Sequence, residues 1–401
     1  MFFGSLIAGV LVAAVLAVGL VRKLAVARQW VAKPRADRWH AKPTALHGGV
    51  GFFIPFFFGC AWLFWHLTEM QPEWYGREEM RVLMAAYLAG LAIMFVTGLL
   101  DDIHQFRPGA KLVLEVCATV VFMAAGGVGT LTGYQFVDIA LTFLWFIGIG
   151  NAVNLLDNMD GASSGVVFVG CVGVVLIGLL VPGDVMPLSV YVGALLAAAI
   201  FGFWLYNRPP ASIFMGDSGS LFMGFAFAGL TLPGPLNLGH GVEAGAGSLH
   251  GLLIAMTLAA IPILDTSLVT VTRLWRGQSP AVGGRDHSTH RLAQSGLGPN
   301  QTILVLYSLA ALCVVFVVGM QRSPQLAWLL FSILVVGFAL TAVYLAGVAV
   351  ETGQKRVQAW QQLLNSLLHR APLFKGVMDI PLIMVSFYAA YMVRFDFHVP
   401  D

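Results

Sequence analysis

The chain has 401 residues, 58% hydrophobic and only 10% charged, with a formal net charge of +2. That is too little polar surface to clothe a soluble globule of this length, so the lipid bilayer is the implied solvent. The near-neutral balance gives no reason to expect a nucleic-acid partner, and Cys60, Cys117, Cys171 and Cys313 lie in apolar runs without paired spacing, which argues against a disulfide framework or a zinc knuckle.

A helix crossing a bilayer needs about 20 mostly apolar residues. By that rule the chain reads as an all-α, polytopic membrane helical bundle. Eleven spans are predicted near 2–21, 48–66, 82–100, 110–127, 136–150, 164–182, 187–206, 218–233, 249–271, 301–320 and 326–350. The first run has no basic region before it and no small-residue cleavage site after it, and reads as a retained helix. The runs at 136–150 and 218–233 are short and contain glycine, so a broken or partly immersed helix is expected there. Residues 1–350 thus form one multi-span domain. Residues 351–401 form an amphipathic linker at 354–372 and a twelfth candidate span at 374–393.

Alternating the spans sorts the connections into two sets. One holds eighteen Lys and Arg; the other holds only Arg77, Arg81, Arg322 and, if the twelfth span is real, Arg394. The positive-inside rule puts the first set in the cytoplasm and the N-terminus outside. Nearly every cluster of Asp, Asn and His falls in the same positively flanked connections, so one face of the membrane holds the chemistry.

In chain order, the first cluster is His40-Ala-Lys42-Pro-Thr44-Ala-Leu-His47-Gly-Gly49. It ends the first basic loop, whose Lys and Arg residues a topology anchor explains equally well, but the Pro-Thr and Gly-Gly punctuation is unexplained by anchoring, so Lys42 and Thr44 are candidate substrate contacts. Asp101 and Asp102 sit where an apolar helix meets water, a costly place for two like charges unless a cation or proton transfer compensates; a pair of solvated acids is the bland alternative. Asn151-Ala-Val-Asn154-Leu-Leu-Asp157-Asn-Met-Asp160-Gly161 repeats a polar side chain every third residue. On a helix this pairs Asn154 with Asp157, and Asp157 with Asp160, on shared faces. Packing glue explains one asparagine at a bilayer edge better than it explains this whole set.

Two prolines then end a helix at Asn207-Arg-Pro-Pro, and Gly216-Asp217-Ser-Gly219-Ser follows. The glycines permit close backbone approach, and free amides at a helix start suit phosphate; a plain helix cap by Asp217 is the alternative. Last comes the basic loop from Arg273 to Arg291. It places Arg285, His287, His290 and Arg291 within seven residues, fixed donors of the kind a diphosphate requires. A zinc site lacks further ligands at recognisable spacing. A transporter would place its polar groups near span midpoints on repeated halves, and no repeat is visible. A CDP-alcohol phosphotransferase would carry an Asp-Gly-x-x-Ala-Arg run, but Asp160-Gly161 leads into Ala-Ser-Ser.

Taken in this order, the stretches closely resemble the polyprenyl-phosphate N-acetylaminosugar 1-phosphate transferases, the MraY/WecA-like membrane enzymes, over roughly residues 30–350. Asn151-Ala-Val-Asn154-Leu with Asp157 and Asp160-Gly161, and Phe214-Met-Gly-Asp217-Ser-Gly-Ser-Leu221, are the most specific parts. The resemblance implies transfer of an N-acetylhexosamine 1-phosphate from a UDP-sugar to undecaprenyl phosphate, releasing UMP and starting a lipid-linked envelope glycan. It implies magnesium, with manganese as the alternative ion. It also implies a multi-pass protein of the bacterial inner membrane with its site facing the cytoplasm, and leaves a homodimer open.

By the same resemblance the metal ligand falls on Asp217, with Asp157 as a second candidate, and the paired acids on Asp101 and Asp102. Phosphate- and nucleotide-contacting acids fall on Asp157 and Asp160 with Asn154 and Asn207 close by, and the histidine motif on His287 and His290 beside Arg285. Two departures stand out. Thr289 occupies the place of a middle histidine, and Gln105 stands where a lysine often follows the paired acids, leaving Lys111 as its substitute. Both point away from the branch that uses the muramoyl pentapeptide and toward a UDP-GlcNAc user. The tail from Lys375 to Asp396 is weakly similar to the first membrane helix of nucleotide-sugar dehydratases; an extra anchor is the simpler reading.

Overall fold

The computed structural model describes residues 2–32, 43–180, 186–234, 236, 246–279, 284–321 and 324–348. Lys42, the linker at 354–372 and the twelfth candidate span lie outside them. The described chain is almost wholly helical, as its apolar runs demand: in hydrocarbon a helix satisfies every backbone group within itself. In chain order the helices are α1 (Phe2–Ala27), α2 (Gly48–Met70), α3 (Pro72–Tyr75), α4 (Glu78–His104), α5 (Pro108–Ala124), α6 (Gln135–Leu156) and α7 (Ala162–Leu180). They continue with α8 (Leu188–Asn207), α9 (Asp217–Thr231), α10 (Ala246–Leu258), α11 (Ala260–Trp275), α12 (Ser288–Gln294), α13 (Pro299–Met320) and α14 (Pro324–Gly347). Prolines open α3, α5 and α13, where the missing N–H costs nothing.

The predicted count of eleven spans does not carry over intact. Among the described residues, eight helices are long and apolar enough to cross a membrane, and a ninth span arises if α10 and α11 count as one. The protein is a multi-pass membrane protein. The predicted span 249–271 is bent by 74° between Leu258 and Ala260. Pro262 has no N–H to return to the Leu258 carbonyl, so the helical ladder is interrupted at that point. Helices α5 and α9 have 17 and 15 residues, about 25 and 22 Å at 1.5 Å per residue, against a hydrocarbon core of about 30 Å. They nevertheless run between the same two ends of the bundle as their longer neighbours, since the Thr130 N–H beyond α5 meets the Pro233 carbonyl beyond α9 at 3.0 Å. Segment 136–150, expected to be broken or partly immersed, is not broken: it is part of one continuous helix that carries Asn151 and Asn154 in its last turns.

Helix α9 lies at the centre of the bundle, and every residue from Ser218 to Thr231 is buried. Aromatic rings grip it from two sides. Phe52 and Phe53 of α2 pack on Phe222 at 4.9 and 5.0 Å between centroids, and Tyr87, Phe122 and Phe146 surround Phe225. Interlocked aromatic packing of this kind fixes position as well as contributing burial. Tyr87 and Trp145 also donate to the carbonyls of Ala226 and Ala228. Outward-facing Leu16, Trp62, Phe136, Leu144 and Val315 remain exposed, which in lipid needs no cover.

Candidate active site

The ends of α4, α6 and α8 and the starts of α2, α5, α7 and α9 meet at one end of the bundle, and the polar clusters gather there. Two short strands, β1 (Val31–Ala32) and β2 (Thr44–Ala45), pair antiparallel, and Ala45 bridges to Ile213 on its other side. The amides of Gly48 and Gly49 then donate to the carbonyls of Phe214 and Met215, both at 2.8 Å. The entry to α2 is thereby stitched to the entry to α9. Thr44 is buried within β2. Gly216 adopts φ 75°, and a Cβ there would lie 2.6 Å from Asp102 Oδ2, so a glycine is required on both counts.

Adjacent residues on a helix point about 100° apart, and the paired acids divide accordingly. Asp102 turns to α9, where its two oxygens accept the amides of Asp217 (2.8 Å) and Ser218 (3.1 Å). It caps that helix from another helix and meets the positive end of its dipole. His47 Nδ1 lies 3.7 Å from Asp102, an electrostatic neighbour beyond hydrogen-bond reach. Asp101 turns instead to Lys111. The Lys111 ammonium stands 2.5 Å from Asp217 Oδ2, 3.4 Å from Asp101 Oδ2 and 3.3 Å from Asn154 Oδ1. Asn154 completes the ring by donating to Asp217 Oδ1 at 3.0 Å and to Ser220 Oγ at 2.7 Å. Four sequence-predicted residues, Asp101, Lys111, Asn154 and Asp217, thus form one cluster drawn from four helices.

Asp157 and Asp160 behave differently from the predicted helical face. Helix α6 stops at Leu156, and the chain turns through Gly161 at φ 75°, so these two acids lie on a loop. Asp160 Oδ2 accepts the Ala211 amide at 2.8 Å. Half-buried Asp157 has its carboxyl pushed up to about 8 by burial and by the charges of Asp217, Asp160 and Asp102. Asn207 is buried and fully engaged: it accepts from the Gly161 amide and the Ser164 hydroxyl and donates to the Ile213 carbonyl. It braces the loop rather than offering an open donor, because a buried amide must use its hydrogen-bonding groups internally. Tyr307 of α13 holds the same loop, donating to the Gly161 carbonyl at 2.6 Å and accepting from Trp204 Nε1 at 2.8 Å.

The basic loop also divides. Arg285 is exposed at its tip. Arg291, expected to share phosphate binding, is 0% exposed and donates to the carbonyls of Asp286 and Leu345 and to Thr272 Oγ1, a structural clamp. Burial raises the Asp286 carboxyl, but the two-pronged contact from Arg273 more than reverses this and holds it below its ordinary value. His287 and His290 are buried with ring centroids 6.4 Å apart. Thr289, in the middle-histidine place, donates to Asn158 Oδ1 and ties this turn to the loop of Asp157 and Asp160.

Two residues escaped the sequence reading. Glu115 is 2% exposed and accepts from Asn151 Nδ2 at 2.5 Å; an acid one turn after Lys111 inside an apolar run was the available signal. Asp265, an acid inside the apolar run of α11, accepts from His287 and Ser288. Among the described residues no three His, Cys, Asp or Glu side chains form a closed metal cage. Magnesium binds through one or two carboxylates with waters and substrate phosphates; Asp217 and Asp157 offer oxygen donors of that class, and both Asp217 oxygens are engaged here by Lys111 and Asn154.

The chain matches the model of glycosyl transferase family 4 over residues 84–234, the helices that carry Asp101 through Asp217. It is 29% identical over 297 residues to a probable undecaprenyl-phosphate N-acetylglucosaminyl 1-phosphate transferase of Bacillus subtilis, covering 72% of this chain and 76% of that protein. It is 31% identical to a phospho-N-acetylmuramoyl-pentapeptide-transferase of a Synechococcus species, over 72% of this chain and 84% of the relative. Similarity to a decaprenyl-phosphate N-acetylglucosaminephosphotransferase of Mycolicibacterium smegmatis reaches 32% identity across 73% of this chain and 75% of the relative. An identity of that level sustained over three quarters of a relative, with the family model lying on the helices that build the cluster, makes this chain a member of glycosyl transferase family 4.

Proposed function

We propose that the chain transfers N-acetylglucosamine 1-phosphate from its UDP derivative to undecaprenyl phosphate, releasing UMP, at the cytoplasmic face of a bacterial inner membrane. The observation that carries this is the Lys111 ammonium set between Asp101 and Asp217, with Asn154 bound to both Lys111 and Asp217, at the polar end of an apolar bundle. A lipid phosphate and a sugar nucleotide can meet only at such a boundary. The names of two relatives favour N-acetylglucosamine; the muramoyl relative defines the competing donor.

In the reaction a phosphate oxygen of the lipid bonds to the phosphorus bearing the sugar. The bond from that phosphorus to the bridging oxygen breaks, and UMP leaves with the electron pair. We favour this single step over a covalent enzyme intermediate. Lys111 screens the approach of two anions. Asp102 gives both oxygens to the α9 amides, whereas Asp101 gives Oδ1 to the Phe106 amide and turns Oδ2 to Lys111, so Asp101 Oδ2 is the oxygen of the pair assigned to accept the acceptor's last proton. Magnesium, held by Asp217 and Asp157, would neutralise diphosphate charge when bound. Arg285 and His290 would supply further donors to the phosphates.

The test is purified protein in nanodiscs with undecaprenyl phosphate, Mg²⁺ and a panel of UDP-N-acetylhexosamines that includes the muramoyl pentapeptide donor. UMP release is expected only with lipid and metal, with UDP-GlcNAc preferred, and Asp217→Asn should lower it by ~10²-fold or more. Release with the muramoyl donor alone would replace the sugar assignment; none with any donor from folded protein would end the transferase reading.

A further inference from the structure

A second polar set lies beside the Lys111 cluster, where α11 meets α12. Asp265 is fully buried (0% exposed) in an apolar helix, a costly position for a carboxylate unless it is well paired. Its two oxygens are used differently. Oδ1 accepts both the amide (2.7 Å) and the hydroxyl (2.6 Å) of Ser288, and Oδ2 lies 2.8 Å from Nδ1 of His287. With two donors already on Oδ1 the ionised carboxylate is favoured, and an ionised carboxylate only accepts. Nδ1 of His287 must therefore carry hydrogen. Among the described residues no protein group bonds Nε2, the other ring nitrogen. The Thr289 to Asn158 bond holds the same turn against the loop of Asp157 and Asp160.

We propose that Asp265 is a positioning residue for His287: it keeps hydrogen on Nδ1, so that a proton taken up by the ring goes to Nε2, which then donates to the phosphates of the sugar nucleotide. An asparagine NH₂ at this place could not accept from that doubly protonated ring. This rests on the transferase reading for the identity of the phosphates, but not for the state of the ring. A group that orients a buried imidazole through one nitrogen decides what the other can do. The Ser288 donors make the assignment testable by one substitution. In Asp265→Asn they require the amide oxygen at the Oδ1 place, so the amide NH₂ turns to His287. Nδ1 then has to accept, and the proton of the neutral ring moves to Nε2.

The experiment is ¹⁵N NMR of histidine-labelled protein in nanodiscs at alkaline pH, with the His287 signals identified by their loss in His287→Gln. In the wild type a protonated Nδ1 is expected; in Asp265→Asn the proton should sit on Nε2. An unprotonated Nδ1 in the wild type overturns the proposal without any variant, and so does an unchanged ring in folded Asp265→Asn. In the UMP-release assay, Asp265→Asn should lower kcat by ~10- to 100-fold, while adding it to His287→Gln should cost nothing further, because both act through one ring. An equal additional loss in the double variant overturns the positioning role. A ring that behaves as expected in an enzyme with no UMP release would sink the transferase reading and leave the Asp265–His287 assignment standing.

Discussion

Asp101 and Asp102 show how little adjacency in sequence says about role. One carboxylate caps α9 and the other faces Lys111, because a helix turns successive side chains apart. His290 makes a similar point through protonation. Burial lowers its pKa to about 4, helped by the charges of His287 and Arg285. Unfolded, an imidazole titrates near 6.5, so between about 4 and 6.5 the unfolded chain binds more protons and stability rises with pH. Thermal unfolding in nanodiscs should therefore fall as pH drops from 7 to 5. In His290→Gln that slope should be shallower, and an identical slope would remove His290 as its source. The motif residues themselves were readable from the sequence. The engagement of Asn207 and Arg291 as braces was not, since Gly161, Ser164 and Leu345, which they hold, lie on segments distant in sequence.

At the scale of elements, the site depends on how closely α4 and α9 cross. A Cβ on Gly98 would fall 2.1 Å from the Asp217 carbonyl oxygen, so an added methyl must push the two helices apart. Gly98→Ala should cost about 1–3 kcal/mol through overpacking and should also dislodge Asp102 from the α9 amides. A lowered unfolding temperature with loss of UMP release is expected, while Gly109→Ala, with nothing within 4 Å, should keep both. Full activity in Gly98→Ala would show that the crossing has slack. The apolar runs located every described helix of the bundle core. They did not show that α9 is shielded on all sides or that Pro262 breaks a span, because hydropathy sums composition and is blind to neighbours.

Across the whole molecule, the alternating runs and the bias of Lys and Arg predict which end faces the cytoplasm. Arg107 is exposed at the polar end, and Tyr134, 74% exposed, lies at the opposite one. With a membrane-impermeant maleimide on intact cells, Tyr134→Cys should label at once and Arg107→Cys only after permeabilisation; the wild type is the blank. The reverse pattern would invert the topology.

The sequence by itself determined the solvent, the helical class, the family resemblance and the gathering of polar clusters on one side. Each of these follows from composition, local period or short-range motif. Only the tertiary structure decided which of those polar groups touch. Lys111 lies 106 residues from Asp217 along the chain yet 2.5 Å from it in space. No local rule encodes such a contact; it follows from aromatic packing that seats α9 among its neighbours and from glycines that let backbones approach.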